Sequence, residues 1–412
     1  MNIRNHNRNC MRKSKLISSV ITAAMLILFS NASQAQDEPK KTMEIYGFIM
    51  MDMGYNANQI HPDWFDVVRP TKLPSFKNEF APDGNFYFSV RQTRLGFKNY
   101  FQTGLGELKT QFEFEMFGTG VDAGQTTIRL RHAYAELGKF GVGQYWSPFM
   151  DIDVFPNTVE YWGPTGMAFF RNVQVRYMPI QGDSRLTIAL ERPGASADGG
   201  IYADRVELQS VKPKFPLPDL SAEYRYAGNW GYVELAGIVR RMEWEDLNTA
   251  APDLSGDATG WGLNLSTNIK LGKRVTFRGS ALTGEGVENY MNDAPVDVAI
   301  KNTGVPANPV EGVALPLTGI VAFVDINWNE KFSSALGYSS IDIDNTNAQA
   351  ANSFKKGQYA VANLMYYPVK NAMMGIEFQW GDRENFSDGW STSISKVQFS
   401  FKYNFSQSFY KN

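Results

Sequence analysis

Apolar and polar side chains alternate with period two in segment after segment of this chain, and nothing beyond the N-terminal region sustains a 3.6-residue apolar period. Such alternation marks strands with one apolar and one polar face. Near the C-terminus Val397, Phe399, Phe401, Tyr403 and Phe405 alternate with Lys396, Gln398, Ser400, Lys402 and Asn404. Leu108, Thr110, Phe112, Phe114 and Met116 share one face of another segment; Lys109, Gln111, Glu113 and Glu115 share the other. Residues 261–270 and 374–381 repeat the pattern.

Taking Gly, Pro, Asn and Asp as turn formers gives about sixteen strands. They lie at 43–54, 86–101, 107–118, 126–137, 140–147, 169–179, 184–192 and 219–227 in the first half. The second half holds 230–245, 258–271, 273–285, 316–328, 331–343, 356–367, 371–384 and 392–405. Several span nine to thirteen residues, enough to cross a bilayer as a tilted strand, whereas strands of soluble sandwiches average about five to six. Connections alternate between short turns and long loops, the latter at 55–85, 148–168, 193–218 and 286–315. That asymmetry belongs to outer-membrane barrels, with the long loops outside the cell. Leaving 206–216 as loop keeps the count even. An open sheet of this size would leave unpaired backbone in lipid, so the barrel has to close. The predicted fold class is all-β, a transmembrane antiparallel β-barrel.

Composition sharpens this picture. A mean hydropathy of −0.31 excludes a polytopic helical membrane protein but not a barrel, whose strands are only half apolar. Aromatic residues reach 14%, and many stand near strand ends, as interfacial girdles require. Residues 1–35 read as a signal peptide: Arg4, Arg8, Arg12, Lys13 and Lys15, then an apolar run from Leu16 to Phe29, then Ser33-Gln34-Ala35. A retained anchor is the alternative, for which the apolar run is short. Cleavage after Ala35 removes five bases and no acid, taking the net charge from −2 to about −7. It also removes Cys10, so the exported domain, 36–412, has neither disulfides nor thiolate ligands. Near-neutral overall charge argues against nucleic acid as a partner. With only His61 and His132 remaining, neither a catalytic triad nor a histidine-rich metal site is expected, and no cofactor.

The stretch Gly143-Gln144-Tyr145-Trp146-Ser147-Pro148-Phe149-Met150-Asp151 continues through Phe155-Pro156-Asn157 and Tyr161-Trp162-Gly163-Pro164-Thr165-Gly166. It resembles the third-loop region of the DcaP-like porins of Gram-negative outer membranes. Arg91-Gln92-Thr93-Arg94-Leu95-Gly96-Phe97 and Arg129-Leu130-Arg131-His132-Ala133-Tyr134 are similar to that family's early strands. The resemblance is strongest over 86–178. It implies a trimeric, sixteen-stranded outer-membrane porin passing small anionic solutes, dicarboxylates among them. It also implies that 148–168 folds inward as a constriction loop carrying Asp151, Asp153, Glu160, Tyr161 and Trp162; an ordinary loop on the rim is the alternative. A tail, 406–412, follows the last predicted strand, and Phe405 would be its final outward residue.

If apolar faces meet lipid, polar faces line the lumen. Lumen bases are then Arg94, Lys109, Arg129, Arg131, Arg176, Arg185, Arg225, Arg240, Arg274, Arg278, Lys396 and Lys402. Lumen acids are Asp52, Glu113, Glu115, Glu191, Glu223, Glu234, Asp325 and Glu377. Bases outnumber acids, which favours anions. Arg94, Lys109, Arg129, Arg131 and Arg176 are the candidate anion-contacting residues. Arg129 and Arg131 share a face and could grip a carboxylate, or instead pair with Glu113 and Glu115 across the hairpin. His132, the next residue, should point outward. Two functions stay open: a passive porin, and a structural or adhesive barrel whose long loops bind a partner.

Overall fold

The computed structural model describes residues 42–198, 211–247, 255–306 and 308–410. The expected signal peptide at 1–35 lies outside the described residues. Sixteen strands form one closed antiparallel barrel. The first half comprises β1 (Thr42–Asn56), β2 (Asn85–Ser89 and Arg94–Thr103), β3 (Gly106–Phe117) and β4 (Thr126–Leu137). It continues with β5 (Phe140–Trp146), β6 (Arg171–Ile180), β7 (Arg185–Glu191) and β8 (Asp219–Gly228). The second half comprises β9 (Gly231–Asp246), β10 (Gly256–Lys270), β11 (Val275–Glu285) and β12 (Pro316–Asn327). It ends with β13 (Phe332–Ile343), β14 (Phe354–Tyr366), β15 (Ala372–Asn385) and β16 (Ser391–Tyr410).

Alternation turns each strand inside out relative to a soluble protein. On β9, Val233, Leu235 and Val239 are exposed, while Tyr232, Glu234, Ala236, Ile238 and Arg240 are buried. All eight acids expected in the lumen are buried. Among the bases Lys109 and Arg274 are exposed; Arg274 sits in the turn before β11, because that strand begins two residues later than the alternation suggested.

The wall closes where β1 pairs with β16, from Thr42 opposite Tyr410 to Asn56 opposite Lys396. The expected tail is therefore strand, at least to Tyr410. Its outward face continues past Phe405 to Phe409, which is exposed whereas Phe405 is half-buried. Backbone pairing with β1 extends this segment even though Ser406, Gln407 and Ser408 break the alternation.

The region left as loop before β8 contains a short strand, Val211–Lys214, paired with the far end of β9. It extends the line of β8 and is not a further crossing. At the same end a hairpin (Val298–Val305 and Asn308–Ala314) joins Ala197–Asp198 in a separate small sheet.

One irregularity redirects a whole strand. Glu113 on β3 pairs with His132 on β4, but the adjacent Phe114 pairs with Leu130, leaving Arg131 as an inserted residue. This β-bulge turns both Arg131 and His132 inward. His132 does not point outward: its ring lies 4.7 Å from that of Tyr145 and 4.8 Å from that of Trp146.

The long loops lie partly within the barrel. Phe149, Met150 and Ala168 pack with Ala236, Ile238, Leu282, Leu317 and Ile341 of the wall. Ile60, Val68 and Leu73 join Val154, Met167, Val321, Phe323 and Tyr359 in a second cluster. At Gly166 the loop touches the wall so closely that a Cβ would stand 2.1 Å from the Ser340 carbonyl oxygen. Only glycine fits there.

Candidate functional site

The segment between β5 and β6 is fastened along the inner wall at successive points. Asp151 accepts hydrogen bonds from Tyr232 Oη at 2.6 Å, Ser266 Oγ at 2.7 Å and Arg225 Nη2 at 2.7 Å, joining the loop to β8, β9 and β10. Asp153 pairs with Arg225 Nη1 at 2.6 Å. Asn157 donates to Ser333 Oγ at 3.0 Å on β13. The backbone N–H groups of Val159 and Glu160 both donate to the Glu377 carboxylate on β15, at 3.0 and 3.1 Å.

Glu160 is buried and accepts from the N–H groups of Val68, at 3.1 Å, and Gly163. Burial pushes its carboxyl up to about 7, against the opposing pull of Lys396. Tyr161 then reaches β3 and β4: its hydroxyl touches Glu115 and Arg129. Trp162 donates to the carbonyl of Asn292 at 2.8 Å. Its ring and that of Trp64 flank the Arg69 guanidinium at 4.0 and 4.2 Å, and Arg69 pairs with Asp293 at 2.9 Å. Three loops, 57–84, 147–170 and 286–297, thus interlock around one cation.

The candidate cations divide into three groups. Arg94, Arg129 and Arg131 surround Glu113 and Glu115: Arg131 Nε lies 2.6 Å from Glu113, Arg131 Nη1 2.9 Å and Arg94 Nη2 3.0 Å from Glu115, and Arg129 also contacts Glu115. The cross-hairpin pairing left open by the sequence is thus present. Lys109 sits at the short-turn end near Glu136 and Glu107, at 3.5 and 3.7 Å. Arg176 makes no direct ion pair among the described residues, and Glu191 is a longer-range electrostatic neighbour. Its Nε donates to Gln174 Oε1 at 3.0 Å, its Nη2 donates to the Trp146 carbonyl, and the rings of Tyr145 and Tyr134 lie 5.0 and 5.5 Å away.

The loop acids do not face Arg94, Arg129 and Arg131. Asp151 and Asp153 are bound to Arg225, and Glu160 is bound to backbone N–H groups. Sequence reasoning also passed over Arg69 and Arg171. The first lies in a loop with no periodicity to mark it. The second has the strand parity of the outward Val173, Val175 and Tyr177, although Arg131, Glu115 and Tyr161 are its electrostatic neighbours.

A closed barrel with lipid-length strands, an apolar exterior, a charged interior and a loop fastened inside it defines an outer-membrane channel of the porin class. The chain matches the family described as DcaP outer membrane protein over residues 26–405, and it belongs to that family. Its place is the Gram-negative outer membrane. Among solved structures it is similar to the outer membrane channel DcaP of Acinetobacter baumannii, with TM-score 0.73, 22% identity, 91% of this chain and 100% of that one covered. An anion-selective porin from Comamonas acidovorans gives TM-score 0.57 at 11% identity, covering 89% and 100%. Salmonella typhi OmpF gives 0.53 at 12%, covering 88% and 97%. No curated protein sequence matches the chain.

Proposed function

We propose that this channel passes small anionic solutes, dicarboxylates included, by passive diffusion. The observation that carries the reading is Arg176, an inward cation held by an amide, a carbonyl and two tyrosine rings, which among the described residues makes no direct ion pair and has the buried Glu191 only as a longer-range neighbour. Nearby, Arg94, Arg129, Arg131 and Arg171 stand against only Glu113 and Glu115, so this side of the wall has surplus positive charge. Fixed positive charge along a pore attracts anions and repels cations. The solute passage in this reading runs between the fastened loop and the inner faces of β3 to β7, and the protein works as a homotrimer after loss of residues 1–35. N-terminal sequencing of the exported protein should begin at Gln36.

Reversal potentials in planar bilayers under a potassium chloride gradient test the selectivity. The wild-type channel should prefer chloride, and Arg176→Gln should reduce that preference. A cation-preferring wild type refutes the reading. The ion pairing of Arg94, Arg129 and Arg131 favours a second reading, a weakly selective channel whose charges hold the wall together. An Arg176→Gln channel with unchanged reversal potential would support it.

A further inference from the structure

The wall is incomplete beside β5. β4 and β5 pair only from Ala133 opposite Gln144 to Leu137 opposite Phe140. Beyond that rung β5 runs on to Trp146, which pairs with Arg171 at the start of β6, and the chain then turns inward. The upper part of β4 is left without a neighbour on this side. The Gln144 amide covers part of the edge, donating to the carbonyls of Leu130 and Arg131 at 3.3 and 3.0 Å. The Trp146 ring borders the gap, with the guanidinium carbons of Arg131 and Arg171 at 5.3 and 5.1 Å.

The charges around this gap do not balance. Arg94, Arg129 and Arg131 take up Glu113 and Glu115. The Arg171 side chain makes no hydrogen bond or ion pair with any described residue, and its Nη1 is shut off from solvent without a partner. A second orphaned polar atom, His132 Nδ1, is buried beside the same tryptophan. A buried guanidinium nitrogen without an acceptor is costly, and its planar fork is matched by the oxygens of phosphate, sulfate or carboxylate.

We infer that the gap between β4 and β6 binds a small oxyanion, with Arg171 as its principal donor. The inference stands on the local charge count and not on the selectivity proposed above. Two sources share the chemistry: a free oxyanion arriving from the lumen, and the phosphate of a membrane lipid arriving from outside, since Arg171 shares strand parity with the lipid-facing Val173 and Val175.

The experiment has two arms, both on the full-length purified protein. In the first, inorganic phosphate is titrated into delipidated channel at constant ionic strength, with binding read by calorimetry. In the second, native mass spectrometry counts phosphate-bearing lipids that stay bound after mild extraction. Binding in either arm should weaken about tenfold or more in Arg171→Gln, the scale of a lost charge-assisted hydrogen bond. It should persist in Arg192→Gln, which removes an exposed arginine nearby. Arg171→Lys keeps the charge but loses the fork, and guards against a folding defect in the glutamine variant: it should bind with intermediate strength. Loss in the first arm alone identifies a soluble ligand, and loss in the second alone a lipid. Absence of binding in both arms, or equal binding by wild type and Arg171→Gln, overturns the inference. Selectivity measured separately by reversal potential leaves this outcome unaffected.

Discussion

Tyr161 lies flat on Phe117, with ring centroids 3.9 Å apart and planes 9° from parallel. One ring belongs to the inward loop and the other to the end of β3, so the pair clasps the loop to the wall. Beyond the stack, the tyrosine hydroxyl enters the Glu115 ion-pair cluster.

Removing the clasp should loosen the loop. Offset aromatic pairs contribute about 0.5–1.5 kcal/mol beyond area burial, too little to unfold the barrel. Tyr161→Ala should give folded channels with larger and noisier single-channel currents. Currents indistinguishable from wild type would show that the fastenings at Asp151 and Glu377 hold the loop unaided.

Glu115 is the acid on which three arginines converge, and it is fully buried. Glu115→Gln leaves those cations under-neutralised. Breaking a buried pair in this way costs about 3–5 kcal/mol. The temperature at which the barrel loses its folded mobility on gels should fall, and the surviving channels should shift their reversal potential towards anions. A stability loss with no electrical shift would place the cluster outside the solute path.

The Glu160 carboxyl gives the loop a pH dependence of definite sign. Its value in the docked loop, about 7, is above the ordinary 4.5 because burial disfavours the charge. Below about 4.5 the group is protonated whether docked or free, and it exerts no differential effect. As pH rises from there towards 7 the docked state binds the proton more tightly, so ionisation works against docking, and the penalty levels off above about 7. Loop fluctuation, read as open-channel current noise, should increase across that window. In Glu160→Gln this increase should be absent; an unchanged profile would assign the dependence to another group.

Phe409, rather than Phe405, ends the outward aromatic series of β16. A charge on a lipid-facing position costs about 2–4 kcal/mol at mid-bilayer and about 0–1 near the interface. Phe401→Asp, well inside the strand, should therefore depress folded yield more than Phe409→Asp near its end. Equal yields would mean that depth does not order these sites.

The fold was legible because lipid and lumen impose opposite demands on successive residues, and a sheet can meet both only by strict alternation. All sixteen crossings follow from that rule together with turn chemistry. His132 escaped it because an inserted residue at Arg131 shifts the parity of the strand, and nothing in the local sequence distinguishes a bulge from regular pairing. The end of β16 escaped it because Ser406 to Ser408 stay in the sheet through backbone bonds to β1. In the site, residue types were readable and partners were not. Arg129 and Arg131 could be placed on one face, but the occupation of their guanidinium groups by Glu113 and Glu115 is a matter of register between strands. Asp151 finds Arg225 across 74 residues of chain, a distance over which no spacing rule operates.

The seam between β1 and β16 runs the full length of the first strand, and it joins the two ends of the described chain. Apart from each other, β1 and β16 each present one bare edge. A chain lacking β16 therefore leaves β1 with a full row of unpaired backbone N–H and C=O groups, a template for pairing with another chain in place of a closed wall.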